Sequence, residues 1–271
     1  MIDTVTTRFG LARMPFGRDL PPSRLHRHAD CGEAAARITW AVSDKTIAMI
    51  TGEVGTGKTV AIRSAVADLD PAAHTIIYVG NPATGVRGIL AHVVTALGGR
   101  PVHGTAALAV QAWSVLAGEA AERGRTPVLI LDEAHLLDHG QLESIRMMTN
   151  HDMDSSTPFA TILVGQPTLR HSVRLGVLAA LEQRITVRYQ MKGMTPDETA
   201  SYIRHHLEQA GRTADLFTDD AVAQIHQAAR GKPRTVNNIC TAALIATAGA
   251  GKNLVDHASA RAAIAEVTAT G

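Results

Sequence analysis

Gly52-Glu53-Val54-Gly55-Thr56-Gly57-Lys58-Thr59 is the stretch that decides how this chain folds. It obeys the pattern G-x-x-x-x-G-K-[S/T], in which glycines let the backbone curl until successive N–H groups point inward at phosphate oxygens. An apolar run, Thr46-Ile47-Ala48-Met49-Ile50, enters it as a buried strand, and Val60 to Leu69 leaves it with a helical pattern. A helix beginning there adds its N-terminal dipole to the anion site. Lys58 reaches toward the β- and γ-phosphates, and the Thr59 hydroxyl is placed to ligate Mg²⁺. Residues Gly52 through Val60 are therefore the expected nucleotide-binding segment.

Outward from this loop the same kind of strand recurs. Thr75-Ile76-Ile77-Tyr78-Val79 is stopped by Gly80-Asn81-Pro82, and Val128-Leu129-Ile130-Leu131 ends at Asp132. Phe159 to Val164 ends at Gly165, and Ile185 to Tyr189 precedes Gly193. Helical patterns cover about Gly85 to Leu97 and Thr105 to Arg123. Strands that read as continuous apolar runs, spaced by helices, predict an α/β core: a five-stranded parallel sheet covered on both faces. From Thr195 onward the pattern is helical only. Thr195-Pro196-Asp197-Glu198 spells a capping box with Pro at the first helical position. Further helices are expected at about Thr218–Ala229, Arg234–Ala248 and Val255–Val267. The first forty-odd residues predict an irregular arm and then a helix from about Asp30 to Val42, with Asp30 as its N-cap. The expected division is 1–44 as arm and first helix of the core, 45–193 as the α/β core, and 194–271 as a small helical lid domain.

Composition narrows the classes. Of 271 residues, 45% are hydrophobic and 19% charged, which excludes wholesale disorder. Aromatics are only 3%, so the core is built from Ala, Val, Leu and Ile, which disfavours a β-sandwich. Twenty-six basic against 25 acidic residues leave a formal charge of +1 and no basic coat for nucleic acid. Cys31 and Cys240 match no metal or redox spacing and read as reduced, buried thiols. Asp3 and Arg8 precede any apolar run, so no signal-peptide pattern is visible. The most apolar stretch, Ala106 to Gly118, is interrupted by Gln111 and Ser114 and is too short to span a bilayer. The expectation is a cytoplasmic chain with no membrane part.

The third strand carries the second half of the chemistry. Asp132 at its carboxyl end can hold Mg²⁺ through water, and Glu133 is placed to polarise an attacking water as general base. A Glu there argues for hydrolysis rather than nucleotide holding alone. The guanine-reading pattern N-K-x-D is absent, which favours ATP. Asp132-Glu133-Ala134-His135 also spells a helicase signature, but the second recombinase-like domain and arginine-rich motifs of such enzymes are missing, and the match reads as incidental. His135 and His139, four apart with no third ligand nearby, read as solvated or capping residues, and His205-His206 as similarly bland. Gln166 follows the fourth strand, where a polar residue sits between the acidic loops and the γ-phosphate. Arg184 ends a helix before the fifth strand, and Arg234 opens a helix in the C-terminal region.

This arrangement resembles the AAA+ ATPases and, more narrowly, the ExeA/GspA-type group that includes the transposition helper ATPases related to TniB, TnsC and MuB. The resemblance rests on Phe9-Gly10-Leu11 and Pro15-Phe16, Gly52 to Thr59, Leu131 to His135, and Val164-Gly165-Gln166-Pro167. Leu181-Glu182-Gln183-Arg184-Ile185 and Gly231-Lys232-Pro233-Arg234 with Asn237 complete it. It implies that Gln166 is a first sensor of the γ-phosphate, Arg184 an arginine finger completing a neighbouring subunit's site, and Arg234 the second sensor on the lid. It also implies that Phe16 and His28 lie near the adenine. A shared site implies a ring or helical filament assembled with ATP and Mg²⁺.

The function so implied is an ATP-hydrolysing regulator that oligomerises on duplex DNA, largely without regard to sequence, and recruits or activates a transposase. The alternative is a secretion-associated or protein-remodelling ATPase. A filament offsets a near-neutral charge by multiplicity, since each subunit need supply only one or two phosphate contacts. Arg87 and Arg100, with Thr84 as a hydroxyl or N-cap partner, are the DNA-contact candidates, and Lys45 is a weaker one.

Overall fold

The structure, a computed structural model, describes residues 2–17, 20–150 and 157–269. The chain divides into two compact units. One comprises Glu33–Val54 and Lys58–Met191; the other comprises Met1–Gly32, Gly55–Gly57 and Lys192–Gly271. The N-terminal stretch is divided between the two units after Gly32.

The first unit is built on five parallel strands: β1 (Ile47–Gly52), β2 (His74–Val79), β3 (Thr126–Leu131), β4 (Ala160–Gly165) and β5 (Ile185–Met191). Their order is β2-β3-β4-β1-β5. Burial follows position. Every residue of the inner strands β1 and β4 is buried, whereas β5 at one edge alternates and β2 at the other is largely half-exposed. Thr51 pairs with Gly165 and Leu131 with Leu163, so the carboxyl ends of β1, β4 and β3 line up at one edge of the sheet.

Helices cover the sheet because each carries an apolar stripe. Ile89, Leu90, Val93 and Val94 of α4 (Gly85–Ala96) and Leu108, Ala112 and Leu116 of α5 (Thr105–Ala121) bury with Ile77, Leu129 and Leu131. Each such Leu or Ile contributes roughly 1.5–3 kcal/mol. A buried carboxylate, Glu119, is held by the Thr75 hydroxyl (2.6 Å) and Arg123 (2.8 Å).

In the second unit, α9 (Pro196–Gln209), α10 (Asp219–Ala229), α11 (Pro233–Gly249) and α12 (His257–Ala269) share one core with α1 (Ile2–Phe9). The capping box forms as the sequence predicts. Glu198 N–H donates to Thr195 Oγ1 (3.3 Å), and Thr195 N–H donates to the Glu198 carboxylate (2.8 Å).

Three expectations are corrected. The N-terminal segment is not wholly irregular: Val5 and Phe9, one turn apart, bury a helix against α11, and Arg8 donates to the carbonyls of Gly251 and Lys252. Asp30 is not an N-cap. The helix α2 spans Ala29–Ser43; His28 Nδ1 accepts from Cys31 N–H (3.4 Å), while Asp30 accepts the N–H groups of Lys192 (2.7 Å) and Gly193 (2.9 Å). The last helix starts at His257, because Val255 bridges to Phe217 instead. Cys31 and Cys240 are free and buried, and burial raises both thiols above their ordinary range. Among the described residues no helix is long and apolar enough to cross a membrane.

An imidazole cluster sits in this second unit. His206 stacks on Phe16 (5.4 Å between centroids) and lies 4.3 Å from Tyr202, while His26 meets Tyr202 and His205 edge-on. Burial lowers His26 to about 4 and His206 to about 3. His205 and His28 add to the effect at His26 and Glu198 opposes it; His205, His26 and Arg13 add to it at His206. Both rings fold neutral but take up a proton near 6.5 when unfolded. Stability is therefore full above about pH 6.5 and falls with each further step of acid until the folded values are reached, by up to about 1.4 kcal/mol per pH unit for the buried His206 and by less for His26, whose half-exposed ring is screened by solvent. Thermal unfolding between pH 7.5 and 5 should show a falling Tm for the native chain and a shallower fall for His206→Phe. Equal slopes would remove His206 from the account.

Candidate active site

The phosphate-loop segment leaves β1 at Gly52 and enters α3 (Lys58–Asp68). Gly55 (φ 85°) and Gly57 (φ 94°) take conformations that side chains resist, which lets the loop turn its N–H groups inward. Lys58 and Thr59 are the first two residues of α3, where backbone N–H groups have no helical partner and the dipole is positive. The Lys58 ammonium is buried and donates to the carbonyls of Gly52 (2.8 Å) and Glu53 (3.0 Å). A phosphate oxygen is a better acceptor for a buried cation than these two carbonyls, so the segment fits an anionic ligand.

Asp132 follows β3 and is buried with its carboxylate fully engaged. One oxygen accepts Glu133 N–H (2.9 Å). The other accepts both the Thr59 hydroxyl (3.1 Å) and the Tyr78 hydroxyl (2.9 Å). The Thr59–Asp132 pair is a hard-oxygen donor set of the kind that suits Mg²⁺, whose other ligands are normally waters and phosphate oxygens. No cluster of three His, Cys, Asp or Glu suited to a metal occurs among the described residues.

Tyr78 was not among the residues expected here. Burial, followed by its hydrogen bond to Asp132 and the charges of Asp132 and Glu133, raises its phenol to about 12, which keeps it a donor. The signal in the sequence is one polar-tipped residue in an apolar strand. It becomes legible only once β2 is known to lie beside β3.

Glu133 occupies the left-handed region (φ 54°, ψ 33°), a conformation costing about 1 kcal/mol or more for a side-chain-bearing residue. Its half-exposed carboxylate lies 3.3 Å from His135 Nδ1. Because β4 sits between β1 and β3, Gln166 is delivered into the gap between the two loops, and its amide nitrogen is 2.9 Å from His135 Nε2. His135 is therefore neither solvated nor a cap; its side chain is only 12% exposed. His139, by contrast, is exposed at the start of α6 (His139–Met148), and the two imidazoles do not share a helix face.

Arg184 ends α8 (Ala179–Arg184) and donates to Thr149 Oγ1 (2.8 Å) and to Asn150 at the end of α6. Ile185, the next residue, pairs with Ile47 at the start of β1, whereas the phosphate loop leaves the end of β1. Five residues of parallel strand separate those levels by about 16 Å. In the other unit, Arg234 is the second residue of α11, and its N–H donates to Gly55 O (3.3 Å). Phe16 and His28 are buried there too, Phe16 against His206 and Phe217. Thr84 holds the N-cap position of α4, but its hydroxyl makes no cap bond. Arg87 lies in the first turn of α4 and Arg100 beyond its end, so they stand at opposite ends of a helix; Lys45 precedes β1.

Residues 41–173 match the family model described as an AAA domain. General secretion pathway protein A of Aeromonas hydrophila is 34% identical over 268 residues, a span of 97% of this chain and 48% of that protein. The chain thus spans about half the length of the curated relative it matches. Three solved structures share the fold: Cdc6p from Pyrobaculum aerophilum (TM-score 0.68, 15% identity, 89% of this chain and 67% of that one), the Aeropyrum pernix ORC2 protein in ADPNP–ADP complexes (0.69, 17%, 93% and 71%), and Drosophila ORC bound to DNA (0.69, 17%, 98% and 66%).

Proposed function

We propose, on the premise that residues 41–173 form an AAA domain of P-loop ATPase fold, that this chain hydrolyses ATP with Mg²⁺, assembles with copies of itself on duplex DNA, and there recruits or activates a transposase. Lys58 and the first turn of α3 bind the phosphates; Thr59 and Asp132 hold the metal, which supplies charge neutralisation on the phosphoryl oxygens. Glu133 accepts the proton of the attacking water, and Gln166 faces the γ-phosphate.

One observation carries the assembly. Arg184 stands at the amino edge of the sheet, about 16 Å in strand length from its own phosphate loop. An arginine there serves a nucleotide held by a neighbour, where such a residue is worth ~10³-fold or more in rate. The DNA role is supported by the fold shared with ORC bound to DNA, and the transposase by the motif resemblance described above. A second reading, a secretion-associated ATPase, is favoured by the 34% identity to general secretion pathway protein A.

Negative-stain imaging with duplex DNA and a non-hydrolysable ATP analogue separates them. Rings or filaments that require both nucleotide and DNA are expected, and they should weaken with salt. Nucleotide-dependent rings indifferent to DNA would favour the second reading. Monomers that bind nucleotide without assembling would contradict the trans role of Arg184.

A further inference from the structure

We infer that His135 is a positioning residue that couples Gln166 to Glu133, so that the group facing the γ-phosphate aims the general base. The inference rests on the ATPase reading above. His135 Nδ1 lies 3.3 Å from the Glu133 carboxylate and Nε2 lies 2.9 Å from the Gln166 amide nitrogen. The tautomer protonated on Nδ1 serves both side chains, donating to the carboxylate and accepting from the side-chain amide, in exchange for the longer contact (3.4 Å) in which the Gln166 backbone N–H donates to an unprotonated Nδ1. Each partner keeps a functional group in hand. Glu133 has a second oxygen for the water, and the Gln166 amide has a second N–H for a phosphate oxygen. Between them stands a rigid, largely buried ring with two rotatable bonds.

The backbone is built for this proximity. A Cβ on Gly165 would lie 3.1 Å from the backbone nitrogen of His135 and 3.0 Å from Cδ2 of Leu169 in α7 (Pro167–Val173). The end of β4 can approach the turn at residues 134–136 this closely only without a side chain, which brings Gln166 within reach of the ring. A Gln166 drawn toward a terminal phosphate pulls on Nε2, and the imidazole carries that displacement to the carboxylate. Misplacing a reacting group by about 1 Å can cost on the order of 10²-fold.

The test compares ATP turnover with analogue binding. His135→Ala should lower kcat on the order of 10- to 100-fold while leaving KM and the analogue Kd within about twofold. Combined with Gln166→Ala it should be little worse than the poorer single variant, since both break one linkage. His135→Asn retains a donor for Glu133 and His135→Gln retains an acceptor for Gln166, so each should recover only part of the rate. Asn also carries the test should the Ala variant unfold. Wild-type kcat in His135→Ala, full recovery by Asn alone, or multiplicative losses in the double variant would overturn the coupling. Glu133→Gln run alongside separates the two failures. If it is inactive while His135→Ala is normal, only the coupling falls; if it turns over ATP at the wild-type rate, the underlying site reading falls as well.

Discussion

Glu133→Gln is expected to bind ATP as the native chain does and to lose on the order of 10²- to 10⁴-fold in turnover. The substitution removes a basic oxygen and almost nothing else. The left-handed backbone at residue 133 is held by the Asp132–Glu133 N–H hydrogen bond and the turn that follows, neither of which uses the carboxylate. An amide has the shape of the carboxylate and can keep an oxygen toward His135 Nδ1, which lies 3.3 Å from Glu133. Lys58 and the start of α3, the groups proposed to bind the phosphates, lie on other elements and are untouched. Nucleotide-loaded assemblies should therefore form and persist, measurable as retained binding of a fluorescent ATP analogue with negligible phosphate release. Turnover at the native rate would remove Glu133 from the role of base.

Gly231→Ala should be the most damaging single-methyl change in the C-terminal helical unit. Gly231 has φ 68° and follows Arg230, itself left-handed at φ 51°. A Cβ at Gly231 would fall 2.1 Å from the carbonyl oxygen of Met194 and 3.0 Å from its carbonyl carbon. Those are backbone atoms, so no side-chain rotation relieves the clash. They are also locked in place, since Met194 N–H donates to Gly231 O (2.8 Å) and a Cβ at Gly193 would stand 2.9 Å from that same oxygen. The two chain segments cross backbone on backbone just before Pro233 opens α11. Conformational strain and overpacking together should cost roughly 3 kcal/mol or more, lowering Tm by about 6–12 °C in thermal unfolding of the full chain. Gly10→Ala is the control: φ is 64° there, but nothing lies within 4 Å of the added methyl. A shift no larger than the control's would show that the crossing yields easily.

Most of what lies within a few residues along the chain is encoded by local chemistry. The β1–loop–α3 unit, the Asp132-Glu133 strand end and the Thr195 capping box were legible because strand periodicity, glycine conformation and capping chemistry act over one or two turns. The number of strands and their parallel direction followed from the continuous apolar runs. What the sequence left open were partners chosen by strand order and distant packing. Tyr78 reaches Asp132 because β2 lies beside β3, and His135 meets Gln166 because β4 lies between β3 and β1. Val5 and Phe9 make a helix of the N-terminal segment through a core they share with residues more than two hundred positions away, such as Ile239 and Leu244. Asp30, an expected cap, turns instead to the Lys192 and Gly193 amides, and His28 takes its place. The placement of Arg184 at the amino edge is likewise a matter of register. Local backbone preferences are encoded by neighbours in the chain, whereas hydrogen-bond partners across a sheet are set by which strands pack side by side, a property of the assembled sheet.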